Sequence, residues 1–176
     1  MYLNINKKVI ILTMKRYIYL IEGLSGTGKT SVAEELIKRG YNAIDADEVF
    51  GFFGDLNTGL PTDDTTKREW LWDRQKFEEI ICRTGGILFV SGGAMNQEDF
   101  KDSFFFFFTL QVDDETLKER LMNRTNNDYG KQPHELARQL EWNKGVEVWS
   151  KQRGTILIDA IKPLDKIVDE IVSYTK

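Results

Sequence analysis

The residues Gly23-Leu24-Ser25-Gly26-Thr27-Gly28-Lys29-Thr30 follow the pattern G-x-x-x-x-G-K-[ST]. Each residue type in it has a chemical reason. Glycines at 23, 26 and 28 admit backbone angles that side chains forbid. Successive N–H groups, those of Ser25 and Thr27 among them, can then turn inward around a phosphate where a helix begins. Lys29 supplies a mobile cation for the β- and γ-phosphates of a nucleotide, and the Thr30 hydroxyl suits a Mg2+ shell otherwise made of phosphate and water. Glycine averages about 7% of residues, so a chance match in a chain of this length arises roughly once in a few hundred. The motif predicts binding of ATP with Mg2+; the alternative is a plain glycine turn.

Other residues could carry the second half of a transfer reaction. Asp45-Ala46-Asp47 closes a β-prone run, Tyr41 to Ala46. Alternate strand residues share a face, so both carboxylates can reach one cleft. An acceptor hydroxyl needs positioning and a proton acceptor, a role worth about 10²–10⁴ in rate. The alternative is a pair of loop-capping aspartates. Ser91-Gly92-Gly93 follows the apolar run Ile87 to Ser91, with Asn96 and Gln97 offering amides just beyond. Ser91 stands where most P-loop ATPases and GTPases have an Asp. Arg120 and Arg124 are four apart and share one helix face. Tyr129, Lys131 and Arg138 are either ligand contacts or surface groups. The lone His134 reads as exposed, and Cys82, beside Ile80 and Ile81, as buried and inert.

The elements that must position these groups can be read from periodicity. Tyr17–Glu22 is a strand, and Lys29–Arg39 a helix with Val32, Leu36 and Ile37 on one side and Gly40 as its stop. Phe50–Pro61 reads as irregular, Thr65–Arg83 as one helix, and Ile87–Ser91 and Phe104–Val112 as buried strands. Asp113 is an N-cap for a helix bearing Leu117 and Leu121. Asn126–Pro133 is a polar loop, Pro133 to about Gly154 largely helical, and Thr155–Asp159 a last strand. Pro163 opens a final helix with Leu164, Ile167, Val168 and Ile171 facing inward. Strands alternating with helices predict a parallel sheet covered on both faces.

The chain has 176 residues, 41% hydrophobic, with formal net charge −4, which suits one domain and gives no basic face for nucleic acid. A single cysteine excludes an internal disulfide. The longest strongly apolar run, Phe104 to Leu110, is far short of the roughly 20 residues that span a bilayer. A soluble, cytoplasmic protein is expected. Residues 1–13 read as an N-terminal extension, its Lys7-Lys8 and short apolar run imitating a signal peptide too weakly to be one, and residues 14–176 as a single domain.

Strand spacing and the charges that follow each strand resemble the small P-loop kinases, the nucleoside-monophosphate kinase and shikimate kinase group, over about residues 16–176. Phe89–Gln97 (FVSGGAMNQ) and Arg124–Lys131 (RTNNDYGK) look like a less characterised branch of that group. The resemblance implies a three-layer α/β P-loop fold, a five-stranded parallel sheet of order 2-3-1-4-5, an acceptor segment at about 48–84 and a short lid at about 124–133. It implies that Asp45 joins Thr30 on the metal side and that Asp47 is the acceptor base. Lys29 and Arg124 would neutralise the moving phosphoryl group, with Arg120 on the nucleotide. Gly92, Gly93 and Asn96 would lie against the acceptor; from the residues themselves, Arg68 or Arg74 could serve a single anion.

The chain departs from the group in instructive ways. The Asp-Gly-x-Pro-Arg signature of adenylate kinases is absent, and the lid has no cysteine for zinc. Residues 45–80 hold ten acidic and four basic residues, a poor setting for an anionic acceptor. Phe50, Phe52, Phe53, Trp70 and Trp72 either stack on a ring or belong to the core. The expectation is transfer of the γ-phosphoryl group of ATP to a hydroxyl of a small nucleoside-, nucleotide- or shikimate-like molecule, by a monomer or homodimer with no nucleic-acid or membrane partner. The competing classes are a P-loop hydrolase or switch, a polynucleotide 5′-kinase and a plain nucleotide-binding module. Asn143-Lys144-Gly145-Val146 lacks the last Asp of a guanine signature, and the acidic acceptor segment disfavours a phosphate-rich strand.

Overall fold

The computed structural model describes residues 15–125 and 127–175. The expected extension, residues 1–13, lies outside them. The main sheet is built from β1 (Arg16–Gly23), β2 (Ala43–Asp45), β6 (Gly86–Ser91), β7 (Phe106–Gln111) and β8 (Ile156–Asp159). Its order is β2-β6-β1-β7-β8, all parallel, equivalent to the expected 2-3-1-4-5. The register pairs Asp45 and Ile21 each with Ser91, Gly23 with Leu110, and Gln111 with Asp159. Every strand therefore ends at the same edge, where the loops that carry polar chemistry begin.

Both faces of the sheet are covered because successive residues of β1, Ile18 to Ile21, are apolar. Tyr19 and Ile21 face a core with Val32 and Leu36 of helix α1 (Lys29–Lys38), Leu117 and Leu121 of α4 (Asp114–Asn123), and Ile167, Val168 and Ile171 of α6 (Leu164–Ser173). Ile18 and Leu20 face the opposite core, built from Phe50, Trp72, Phe100, Phe104 and Phe77, the last on helix α3 (Arg74–Arg83). The Asp113 side chain accepts the Thr116 N–H at 2.7 Å and caps α4 as its sequence predicts. Pro163 caps α6 from outside rather than opening it. Between α4 and the long helix α5 (Pro133–Arg153) runs the segment 124–132.

The region after β2 differs from the sequence reading. Ala46–Val49 forms one helical turn (α2), then Gly51–Asp55 (β3), Leu60–Pro61 (β4) and Arg68–Trp72 (β5) form a second, antiparallel sheet of order β4-β3-β5. The stretch read as irregular is thus half of a sheet, and the predicted helix over 65–83 begins only at Arg74. Two physical causes are visible. The Asp73 side chain accepts the Lys76 N–H at 3.1 Å and fixes the start of α3 there. Upstream, Arg68–Trp72 carries two tryptophans, aromatic residues that suit a pleated surface. Gly51 lets its partner strand come close: a Cβ there would stand 2.3 Å from the Trp70 ring.

The shortened α3 also relocates Cys82. Phe77 is buried, and five residues on at 100° each the helix has turned well away from it. Cys82 is exposed, against the expectation that it is buried. The phenylalanine run is likewise only partly interior. Phe104 and Phe108 are buried, whereas Phe105 and Phe106 are exposed at the start of β7. His134 is exposed, as expected.

Candidate active site

The loop between β1 and α1 lies at the sheet edge. Gly26 (φ 89°) and Gly28 (φ 99°) adopt left-handed conformations, which non-glycine residues resist. Gly23 lies so close to β7 that a Cβ would meet the Leu110 carbonyl at 2.8 Å. Lys29 folds back over the loop and donates to the Gly23 and Leu24 carbonyls at 2.9 and 3.0 Å. Burial pulls its ammonium below the ordinary lysine value, while Asp47 and Asp45 pull the other way. A phosphate arriving in the loop would relieve that cost by adding negative charge beside a buried cation.

Two arginines frame the loop from α4 and the segment after it. Arg120 donates to the Thr27 carbonyl at 3.3 Å and to the Ala160 carbonyl at 3.0 Å, joining the loop to the residues after β8. Arg124 donates to Ser25 Oγ at 3.0 Å and to the Tyr129 carbonyl. Burial disfavours its charge, and Glu135, Tyr129 and Asp128 favour it. The Ser25 N–H donates to Gln139 Oε1 at 3.1 Å, so buried Gln139 on α5 touches the loop directly. Tyr129 and Arg138 are joined to each other, the guanidinium donating to the phenol oxygen at 2.7 Å.

The loop residues 25–30, Arg120 and Arg124 line a cleft of about 620 Å³ together with Asp47, Asn123, Ala160 and Lys162; Gln139, Tyr129 and Arg138 are not part of its lining. Sequence reasoning missed Gln139, Asn123, Ala160 and Lys162. The signal for the last two was the turn after the final strand, ahead of Pro163, which was read only for its helix.

The carboxylates sit differently from a simple strand pair. Asp45 is the last residue of β2, but Asp47 lies in the turn α2. They still converge, because Asp45 caps that turn: its Oδ1 accepts the Asp47 N–H at 3.0 Å. The other oxygen of Asp45 accepts the Thr30 hydroxyl at 2.9 Å. Thr30 and Asp45 therefore present two oxygen donors side by side at the loop, which fits a hard divalent cation. No group of three or more His, Cys, Asp or Glu exists among the described residues, so such a cation would complete its shell with phosphate and water. Asp47 Oδ1 accepts the Trp70 indole N–H at 3.0 Å.

Ser91, in place of an Asp, is buried and donates to the Lys29 carbonyl at 2.9 Å, a brace for the loop rather than a metal ligand. Gly92 borders Asp47: a Cβ there would stand 3.1 Å from its Oδ1 and 2.7 Å from the Ala46 Cβ. A Cβ at Gly93 would stand 3.7 Å from Gln97. Two acceptor candidates are committed elsewhere. Arg74 lies over the Phe100 ring at 4.5 Å and donates to the Asp99 carbonyl, because it opens α3 on the outer side. Asn96 accepts the Trp72 N–H at 2.9 Å and donates to the Trp72 carbonyl at 3.0 Å, extending the edge of β5. Asn143 of the incomplete guanine tetrad is buried and bonds Val112 and Asp114.

A phosphate-binding loop at the carboxyl edge of a five-stranded parallel sheet, with arginines converging on it from the helix after the fourth strand, defines a P-loop α/β protein. A family model described as an AAA domain matches residues 20–160, and the chain belongs to that family. The fold is shared with small P-loop kinases. A gluconokinase from Sinorhizobium meliloti 1021 superimposes with TM-score 0.51 at 21% identity, over 89% of this chain and 90% of that one. A sugar kinase from Janibacter sp. HTCC2649 gives 0.56 at 17%, over 91% and 94%. A deoxyadenosine kinase from M. mycoides, solved with dATP, gives 0.55 at 16%, over 89% and 97%. No curated protein matches the chain by sequence. No helix among the described residues is long and apolar enough to cross a membrane.

Proposed function

We propose that the protein is an ATP-dependent phosphotransferase that moves the γ-phosphoryl group to a hydroxyl of a small molecule. The observation that carries this reading is Asp47. It is a carboxylate lining the same cleft as Lys29 and Thr30, its backbone N–H held by Asp45 and its Oδ1 by the Trp70 indole. In a hydrolase the same carboxylate would serve a water molecule instead, so the two readings are separated by whether turnover depends on an acceptor. The three kinase folds that superimpose on the chain support the same class.

The residues divide the work. Backbone N–H groups of residues 25–30 cradle the phosphates, and Lys29 leaves its two carbonyls to neutralise the β- and γ-oxygens. Mg2+ held at Thr30 and Asp45 would supply charge neutralisation between those phosphates. Arg124 would release Ser25 to approach the moving group. The acceptor O–H breaks as its oxygen bonds phosphorus; the proton passes to Asp47, and the bond to the β-phosphate breaks with its electrons leaving on ADP. Nucleotide base and ribose would occupy the part of the cleft between Arg120 and residues 160–162. On the acceptor side Arg74 is spent on Phe100 and Arg68 on the Phe53 ring at 4.3 Å, which supports a neutral, hydroxyl-bearing acceptor of nucleoside or sugar type.

The test is ADP release with Mg2+ and a panel of nucleosides, monophosphates, shikimate, gluconate and sugars. Acceptor-dependent release should fall at least about 10²-fold in Asp47→Asn while ATP affinity stays near wild type. Release that ignores every acceptor, or an Asp47→Asn variant of full activity, would overturn the reading in favour of a hydrolase or switch.

A further inference from the structure

We propose that Trp70 is a positioning residue that aims the Asp47 carboxylate, resting on the reading of Asp47 as the acceptor base. Asp47 sits in a helical turn of only four residues, Ala46–Val49. A turn that short cannot fix the rotamer of its own side chain, and an aspartate at its open side would sample several. The backbone of Asp47 is held by Asp45, but the carboxylate takes its direction from one contact, the Trp70 indole N–H on Oδ1 at 3.0 Å.

Three features make this contact a built one. Trp70 is locked on its own strand: Phe53 packs edge-on against its ring at 4.9 Å, and Gly51 leaves room for the ring where any Cβ would collide with it. Its carbonyl accepts the Met95 N–H at 2.9 Å, which ties β5 to the loop beginning at Gly92. Gly92 in turn lies against Asp47 Oδ1, so the floor of the acceptor site, the carboxylate and the indole are fixed by one set of contacts. The indole is also chemically apt. It donates and never accepts, so it cannot compete for the acceptor's proton. It occupies one oxygen of the carboxylate, Oδ1, and so leaves the other to serve the acceptor. A continuous chain results, from Thr30 to Asp45, Asp47 and Trp70, joining the metal side of the phosphate loop to the antiparallel sheet.

The test is a double-mutant cycle of Trp70→Phe and Asp47→Asn. The rate followed is ADP formation from ATP–Mg2+ with deoxyadenosine, with D-gluconate and with water, the fastest of the three being carried through. Trp70→Phe keeps an aromatic ring on β5 and removes the N–H donor together with the part of the indole that lies over Gly51, a packing loss that the Asp47→Asn background shares. It should lower kcat about 10- to 100-fold with the KM for ATP changed less than about threefold. In the Asp47→Asn background the same substitution should cost less than about twofold, because the group it acts through is gone. As a second measurement, the Trp70 indole proton in a nitrogen-15 labelled protein, identified by its loss in Trp70→Phe, should move upfield in Asp47→Asn. A Trp70→Phe enzyme with wild-type kcat, or an equal loss in both backgrounds, would overturn the proposal. Asp47→Asn at full activity would instead overturn the reading of Asp47, which separates the two failures.

Discussion

Replacing Arg153 by Met strips the guanidinium from a carboxylate that the fold has buried. Glu22, the residue before Gly23, is 3% exposed. Arg153 Nη1 donates to both of its oxygens at 3.0 and 3.1 Å, Thr109 donates at 2.9 Å, and Gln97 donates as well. Removing one partner of a fully buried pair costs about 3–5 kcal/mol, because the other charge is left without compensation. Two facts reduce that here. The Arg153 side chain is 31% exposed, and Glu22 keeps two neutral donors. About 2–3 kcal/mol is therefore expected, or a fall in Tm of about 5–10 °C for a domain of this size. Met retains most of the stem that packs near Phe107 and Trp149. Glu22→Gln should cost only about 1 kcal/mol, since Arg153 is part-exposed and has Glu98 at 3.7 Å to turn to. The double variant Glu22→Gln/Arg153→Met should then lie closer to wild type than Arg153→Met alone. Urea unfolding of the four proteins, with unchanged m-values, gives the coupling directly. Strict additivity, or an Arg153→Met Tm within about 2 °C of wild type, would refute the reasoning.

Two further outcomes follow from the phosphate loop and the antiparallel sheet. Burial holds the Lys29 pKa below the ordinary lysine value of 10.5, so the free protein loses this proton more readily than an unfolded chain does. Below the depressed folded value both states are charged and the burial cost on stability is present in full. As pH rises from there towards 10.5 that cost is relieved, and nucleotide phosphates should reverse the shift. ATP binding on the alkaline side should therefore take up protons, seen as a buffer-dependent calorimetric heat that vanishes in Lys29→Met; no uptake in the wild type would sink the argument. Gly51→Ala places a methyl 2.3 Å from the Trp70 ring and 2.7 Å from the Asp47 carbonyl. It should cost about 1–3 kcal/mol in denaturant unfolding and lower turnover along with it, and a neutral result would mean that β3 and β5 are not packed as described.

The sequence was most informative where one physical requirement forces one residue type. A loop that surrounds phosphate needs glycine at 26 and 28 and a lysine after them, and the structure places both glycines at positive φ. The order of the main sheet was legible for a similar reason: apolar runs bounded by turns admit few arrangements as buried parallel strands. Reading failed over residues 50–73, where helical spacing competes with strand pairing. Trp70, Asp73 and Phe77 sit at helical spacing, and Arg68–Trp72 carries no period-2 alternation, although it pairs as a strand with Gly51–Asp55. What decides is a pair of long-range facts that no local window contains: the partner strand Gly51–Asp55 and the Asp73 cap.

The same blindness shaped the reading of the site. Asp45 and Asp47 were legible as a pair, but the reason they converge is not strand alternation. It is a side chain of one accepting the backbone N–H of the other across a helical turn. Arg74 looked available because a charge in a chain has no visible partner, and it is occupied because α3 begins at that residue and turns it outward onto Phe100. Trp70 was legible only as an aromatic residue of the acceptor segment, since an indole donor acquires a role only when a carboxylate is brought to it. The residues proposed to bind phosphate are thus contiguous and readable, whereas those proposed to orient the acceptor come from strand, turn, loop and second sheet together. On the proposed reading the acceptor half of the cleft is a product of tertiary structure, and substitutions in residues 48–84 are expected to change acceptor preference while leaving ATP affinity near wild type, which acceptor-panel kinetics would check.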